Sequence, residues 1–381
     1  MLQSWELGSW IAPRSPDPRN VGVCRRSPGQ TFFGEMPVLN ATRVSGWFGL
    51  SLVMMVSQSV AGTLSLTDLG TLGGSTSTGT AINASGYAVG SSLTSGGATH
   101  AFEYNPNTNS MTDLGVIAGQ TSSVANGINS SNEIVGQSGP TAFKDTGSGL
   151  VSLGTGDARG VNNSGVIIGS IPVGPNNHTE EWSATGTATT YYSLLNTIGS
   201  SINDSGHFVG TENGNGGYYS DGSSTSSITD SLGAFLPASF NNGSISAGED
   251  DQSHEAAMYN VSTLTETILG KLSPSDSSST ASGINSSGTV VGTSGSAGFE
   301  WTSSGGMVSL TSLLGSQYSG WTIVSASAIN DSGQILAEGL NGGVEHAVIL
   351  SLPTPEPSSV VLLGIAGISL GLAAWRRRRG V

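Results

Sequence analysis

The sequence predicts an all-β protein, a seven-bladed β-propeller-like repeat domain followed by a C-terminal transmembrane helix. Three observations carry this. An Asn-centred pattern recurs seven times, the same succession of short apolar segments follows most copies, and the array begins and ends out of phase by one segment. The alternative is an open β-repeat array with two free edges.

The recurring pattern reads "INASGYAVG" (82–90), "INSSNEIVG" (128–136), "VNNSGVIIG" (161–169), "INDSGHFVG" (202–210), "FNNGSISAG" (240–248), "INSSGTVVG" (284–292) and "INDSGQILA" (329–337). Successive copies lie 46, 33, 41, 38, 44 and 45 residues apart. Asn and Gly tolerate the positive φ of a tight turn, and the flanking alternation buries one face, so each copy reads as a β-hairpin. A third segment follows, such as "HAFEYN" (100–105), "TAFKD" (141–145) or "AGFEW" (297–301). A fourth comes next, as "MTDLG", "LVSLG", "YYSLL", "SITDSLG", "LTETILG" or "MVSLTSLLG". Four short strands in roughly 40 to 45 residues is the size of a propeller blade.

The ends of the array decide between a ring and an open stack. After the last hairpin only a third segment remains, "HAVILSL", whereas an unpaired fourth-type segment, "LSLTDLG" (64–70), precedes the first hairpin. If the array closes, that N-terminal strand completes the last blade and removes a raw sheet edge.

Composition narrows the function. Between residues 62 and 355 only Lys144, Arg159 and Lys271 are basic, against 22 acidic residues, a net charge of −19. Such a surface repels phosphate backbones and excludes nucleic-acid binding. The single cysteine, Cys24, cannot form an internal disulfide.

The two ends read as addresses. Arg43, the apolar run "WFGLSLVMMV" (47–56) and the small residues Ser59 and Ala61 form the n-region, h-region and cleavage site of a signal peptide, with signal peptidase expected to cut after Ala61. Residues 1–35 are Pro- and Arg-rich without periodicity; they read as an unstructured or mis-annotated extension ahead of a start at Met36, which makes 36–61 the signal peptide and 62–352 the repeat domain. At 353–381 come Pro355-Glu356-Pro357, an uncharged apolar stretch from Ser358 to Trp375, and the cluster Arg376, Arg377, Arg378 and Arg379. As a helix the apolar stretch is about 27 Å long, close to the ~30 Å hydrocarbon core, and the arginines hold its end on the cytoplasmic side.

This tripartite tail resembles the PEP-CTERM sorting signal of Gram-negative bacteria. The resemblance implies transient membrane anchoring and processing by an exosortase, a membrane transpeptidase, in bacteria that make extracellular polysaccharide. The segments "DLGTLGG", "INASG" and "HAF" resemble HAF-type extracellular repeats, with His100, Ala101 and Phe102 matching the name-giving motif and His346-Ala347 keeping part of it. That family implies no catalytic residues.

Candidate chemistry is sparse. His100, His254 and His346 recur at the third segment of separate blades, which suits a repeated local role better than convergence on a metal. The repeated Asn83, Asn129, Asn162, Asn203, Asn241, Asn285 and Asn330 line one mouth of a ring if it closes, or else serve only their own turns. Glu249, Asp250 and Asp251, with nearby Glu255, are the weak candidates for calcium, the one cofactor in view, though their spacing is not that of an EF-hand loop. "GTGDARG" (154–160) follows a strand but enters no helix, so it is no dinucleotide loop, and "GISLG" (367–371) matches a hydrolase pattern inside the apolar stretch, where no strand-to-helix elbow forms. Trp182, Tyr218, Tyr219, Trp301 and Trp321 are candidate sugar platforms, although most strand aromatics belong in a core. The expectation is an exported, non-enzymatic surface or matrix protein that binds or organises extracellular polysaccharide. The rivals are a secreted polysaccharide hydrolase and a spacer without ligand.

Overall fold

The computed structural model describes residues 63–190, 196–212, 216–228 and 234–352. The expected signal peptide with Ala61, the Pro355–Pro357 motif, the apolar stretch after it and the arginine cluster lie outside them. The chain divides into units 1–57 and 58–381, and everything below belongs to the second.

Seven four-stranded antiparallel sheets succeed one another at 73–115, 123–155, 157–190, 197–228, 235–270, 279–309 and 321–351, the last completed by Ser65–Asp68. These are blades 1 to 7 of a β-propeller. The first strands of consecutive blades stand side by side around the axis, and Trp321–Ile329 of blade 7 returns beside Gly73–Ile82 of blade 1. The N-terminal strand closes the ring as the end register predicts: Ser65 lies opposite Ser351 and Asp68 opposite Val348.

The apolar alternation of the repeats becomes seven core layers, one between each pair of neighbouring blades. Phe102, Phe143, Phe208, Phe235 and Phe299 are fully buried in them, as are Trp182 and Tyr218. At the closure, Phe102 and Ile82 of blade 1 pack with Leu336 and Ile349 of blade 7 and with Leu69, just after the closing strand. Burial of such side chains stabilises by about 1.5 to 3 kcal/mol each.

A β-bulge recurs at one position in all seven first strands, two residues before the apolar residue that precedes the repeat Asn. It explains the glycine that ends the repeat pattern in six blades. A Cβ on Gly90, Gly136, Gly169, Gly210, Gly248 or Gly292 would sit 2.0–2.2 Å from a carbonyl oxygen of the adjacent first strand. Blade 7 carries Ala337 there and has a second register shift in its first strand.

The "HAF" and "DLG" segments also acquire a physical meaning. In blade 1 His100 Nδ1 bonds Asp113 on the outer strand at 2.9 Å, the Ala101 N–H donates to Ser123 Oγ of blade 2, and that hydroxyl donates to the Gly115 carbonyl. Blade 7 repeats the arrangement with His346, Asp68, Ala347, Ser77 and Gly70, so the same module ties the closing strand to the last strand of the propeller. The fourth segment of blade 6 departs from expectation. Only Gly306–Ser309 is strand, and Leu310–Leu313 turns helical because Leu310 is drawn fully into the core.

Candidate functional site

The axis has two mouths. At one, the hairpin turns bring the seven repeat asparagines together, with side chains only 4–7% exposed. Each Oδ1 accepts from two backbone N–H groups of its own turn, as in Asn83 from Ser85 and Tyr87 at 3.0 and 3.1 Å. Each Nδ2 crosses to the next blade and donates to the main-chain carbonyl of the next repeat asparagine. The bonds run Asn83 to Asn129 (3.0 Å), Asn129 to Asn162 (3.0 Å), Asn162 to Asn203 (3.2 Å) and Asn203 to Asn241 (3.4 Å). They continue Asn241 to Asn285 (3.0 Å), Asn285 to Asn330 (3.3 Å) and Asn330 back to Asn83 (2.8 Å). The two readings of these residues are therefore both realised, one by each end of the same amide.

A second, broken ring lies outside the first. Asn163 Oδ1 accepts from the Ser130 N–H, Asp204 Oδ1 from the Asn163 N–H, Asn242 Oδ1 from the Asp204 N–H, and Asp331 Oδ1 from the Ser286 N–H. The two rings line a shallow depression of about 260 Å³. Its polar atoms are largely consumed in joining blades.

The opposite mouth is built by the bulges. A β-bulge re-aims the extra residue of its strand. Here Thr80, Asn126, Arg159, Ser200 and Ala238 line a cavity of about 580 Å³, together with Gln137, Asp157 and Thr211. Ser282 and Ser327 hold the same position in blades 6 and 7. Arg159 Nε donates to Asp157 Oδ2 at 2.8 Å, and Asn126 Nδ2 donates to Asp157 Oδ1 at 2.8 Å and to the Ala158 carbonyl at 2.9 Å. Lys144 and Lys271 are occupied elsewhere, Lys144 on the Ala184 carbonyl and near Glu133, Lys271 on Glu255. Among the described residues Arg159 is thus the cation presented to a cavity, its outer guanidinium nitrogens without a protein partner.

Glu338 sits beside this ring at the junction of blades 7 and 1. Oε1 accepts from the Gly79 N–H at 3.1 Å, and Oε2 accepts from Ser325 and Ser327. Burial holds its carboxyl above the ordinary range even though those donors pull the other way.

The other sequence candidates are spread apart. Glu249 accepts from Thr280 at 2.7 Å and pairs with His254 at 3.2 Å; Asp250 is buried and takes the Ser253 N–H at 2.6 Å; Asp251 lies in the following turn. Glu249 and Asp250 are consecutive on one strand and so point to opposite faces. Among the described residues no group of three or more His, Cys, Asp or Glu side chains is placed to hold a metal ion. Trp182 and Tyr218 are core residues, and Tyr219, Trp301 and Trp321 are half-buried against core layers. The sequence carries one local sign of the Arg159 cavity, in "GTGDARG": a lone cation beside Asp157, two residues before the "VNNSG" hairpin.

The PEP-CTERM protein-sorting motif matches residues 353–379. It implies an exosortase as the processing partner and export with processing at the cell envelope, as for a surface protein. Among the described residues no helix is long and apolar enough to cross a membrane. Of solved structures, the chain is similar to oligogalacturonate lyase from Vibrio parahaemolyticus, at 12% identity and a TM-score of 0.51 over 76% of this chain and 93% of that one. A gluconolactonase from Xanthomonas campestris matches at 12% identity and a TM-score of 0.40, over 75% and 92%. TolB from Acinetobacter baumannii matches at 11% and 0.40, over 66% of this chain, which spans only 59% of TolB. The likeness is one of propeller fold. No curated protein matches the chain significantly.

Proposed function

We propose that the protein is a non-enzymatic propeller displayed at the cell surface or in the extracellular matrix, where it binds or organises extracellular polysaccharide through the Arg159 mouth. The observation that carries the reading is the cavity of about 580 Å³ at the bulge ring. It falls within the ~300 to 1,000 Å³ of small-ligand sites and offers hydroxyls, amides and one guanidinium fork, the groups that bond sugar hydroxyls or carboxylates. The sorting motif and the likeness of "HAF" and "DLG" to extracellular repeats point the same way. The hydrolase reading asks for two carboxylates and an aromatic in one mouth. Asp157 is the carboxylate lining this cavity, and none of the described lining residues is aromatic.

The test is a glycan array probed with the mature protein and with Arg159→Ala. Binding of a matrix glycan that falls at least about tenfold in the variant, equivalent to ~1.4 kcal/mol, supports the assignment. Equal binding by both proteins moves the site elsewhere, and no binding by either favours a spacer.

A further inference from the structure

The closing strand and the last strand of blade 7 leave the propeller at the same place. Ser65 is paired with Ser351, its Oγ 3.0 Å from both the Ser351 carbonyl oxygen and Oγ. Beyond them, Leu64 and Leu352 line a cleft of about 370 Å³ with Leu313, Ile329, Asn285 and Asp331. Asn285 belongs to the amide ring and Asp331 to its outer rim. Both ends of the ring therefore emerge on the amide-ring face, at blade 7, and neither emerges at the Arg159 mouth.

The tail begins almost at once. Two residues separate Leu352 from Pro355, and five separate it from Ser358, where the apolar stretch starts. A chain spans at most about 3.6 Å per residue, so Pro355 lies within about 11 Å of Leu352 and Ser358 within about 22 Å. The eight-residue strand Val344–Ser351 is about 26 Å long at ~3.3 Å per residue, which is the depth of the blade between the two faces. A leash of ~22 Å that starts on the amide-ring face cannot carry the far face to a bilayer.

We infer that the amide-ring face is the surface apposed to the membrane and to the processing enzyme, and that the Arg159 mouth is presented outward while the protein is anchored. This rests on reading residues 358–375 as a membrane anchor, but not on what the Arg159 mouth binds. The enzyme that cuts at Pro355–Pro357 must work within about 18 Å of Leu352, and so meets the cleft between blades 6 and 7 and the rim at Asp331. The consumed polar groups of this face suit a docking wall, while the unpartnered guanidinium nitrogens stay clear of it.

The test uses the full precursor in spheroplasts of its own host, with Cys24 replaced and a single cysteine at Ala84→Cys or Ser95→Cys. Both positions are exposed in blade 1, Ala84 on the amide rim and Ser95 at the opposite end. Labelling by a bulky impermeant maleimide is expected to be several-fold slower at Ala84→Cys than at Ser95→Cys in membrane-bound precursor, and equal in processed, released protein. A flexible insertion of about 20 residues after Leu352, more than 60 Å in contour, should abolish the difference. Equal labelling in anchored precursor without the insertion, the opposite order, or protection that survives the insertion overturns the orientation. A precursor that fractionates as soluble with its tail intact overturns instead the anchoring reading beneath it.

Discussion

The two mouths of the axis are made by the same seven strands a few residues apart, yet they use their polar groups in opposite ways. At the amide ring the same residue type recurs in every blade, and both ends of each amide bond protein. At the bulge ring the residues are Thr80, Asn126, Arg159, Ser200, Ala238, Ser282 and Ser327, and among the described residues the guanidinium of Arg159 is satisfied only at Nε. Uniformity marks the part that builds the ring. Where the blades differ, the geometry is free to meet something else.

The largest expected effect breaks the uniform ring. Asn330→Asp keeps an oxygen for the turn but removes the amide donor of the 2.8 Å bond that closes the circle, and leaves a carboxylate in a site about 5% exposed. An unsatisfied buried polar group costs about 1 to 3 kcal/mol, more when charged, so a loss near 3 kcal/mol is expected in denaturant unfolding. The same change at Asn203, whose bond is 3.4 Å, should cost less. If both cost nothing, the circle is incidental to closure.

Next comes the carboxyl between the seam and the bulge ring. Because burial raises the Glu338 value in the folded protein, its contribution is fully present below the unfolded value of about 4.3 and is lost as pH rises through the raised folded value. Glu338→Gln carries no charge at any pH. Relative to the parent, the variant should therefore gain thermal stability as pH rises above the unfolded carboxylate value and through the raised folded one, and a pH-independent difference would refute the buried-acid assignment.

A smaller effect compares the seam with an ordinary blade. His346–Asp68 joins the closing strand to the last blade, and His100–Asp113 makes the same pair within continuous chain. Both are partly exposed, so His346→Ala and His100→Ala should each cost about 0.5 kcal/mol. A markedly larger loss at His346 would show that the seam is the weak point of the ring.

The contrast between the mouths also explains what could be read from the sequence. The hairpins, the four-strand blades and the closing strand were legible because turn chemistry, alternation and register are local or periodic. The cross-blade donors were not, since Nδ2 of Asn83 and the carbonyl of Asn129, 46 positions apart in sequence, meet only after the chain folds into adjoining blades. Arg159 was visible as an odd charge, but its place facing the axis depends on a bulge that no residue type announces. In blade 6 the pattern misled at Leu310, because one buried leucine outweighed the strand tendency of its neighbours.

The smallest effect on stability should come from the residue assigned the largest effect on binding. Removing the Arg159 guanidinium deletes one ion pair to Asp157, with the Arg159 side chain 41% exposed, while Asn126 still bonds Asp157 Oδ1. An exposed pair of this kind is worth about 0 to 1 kcal/mol, so Arg159→Ala should unfold within about 0.5 kcal/mol of the parent. A loss comparable with that of Asn330→Asp would mean that Arg159, too, is committed to holding the ring, and the division of labour between the mouths would fail. A stable Arg159→Ala protein that no longer retains glycan would make this mouth the working end of the propeller.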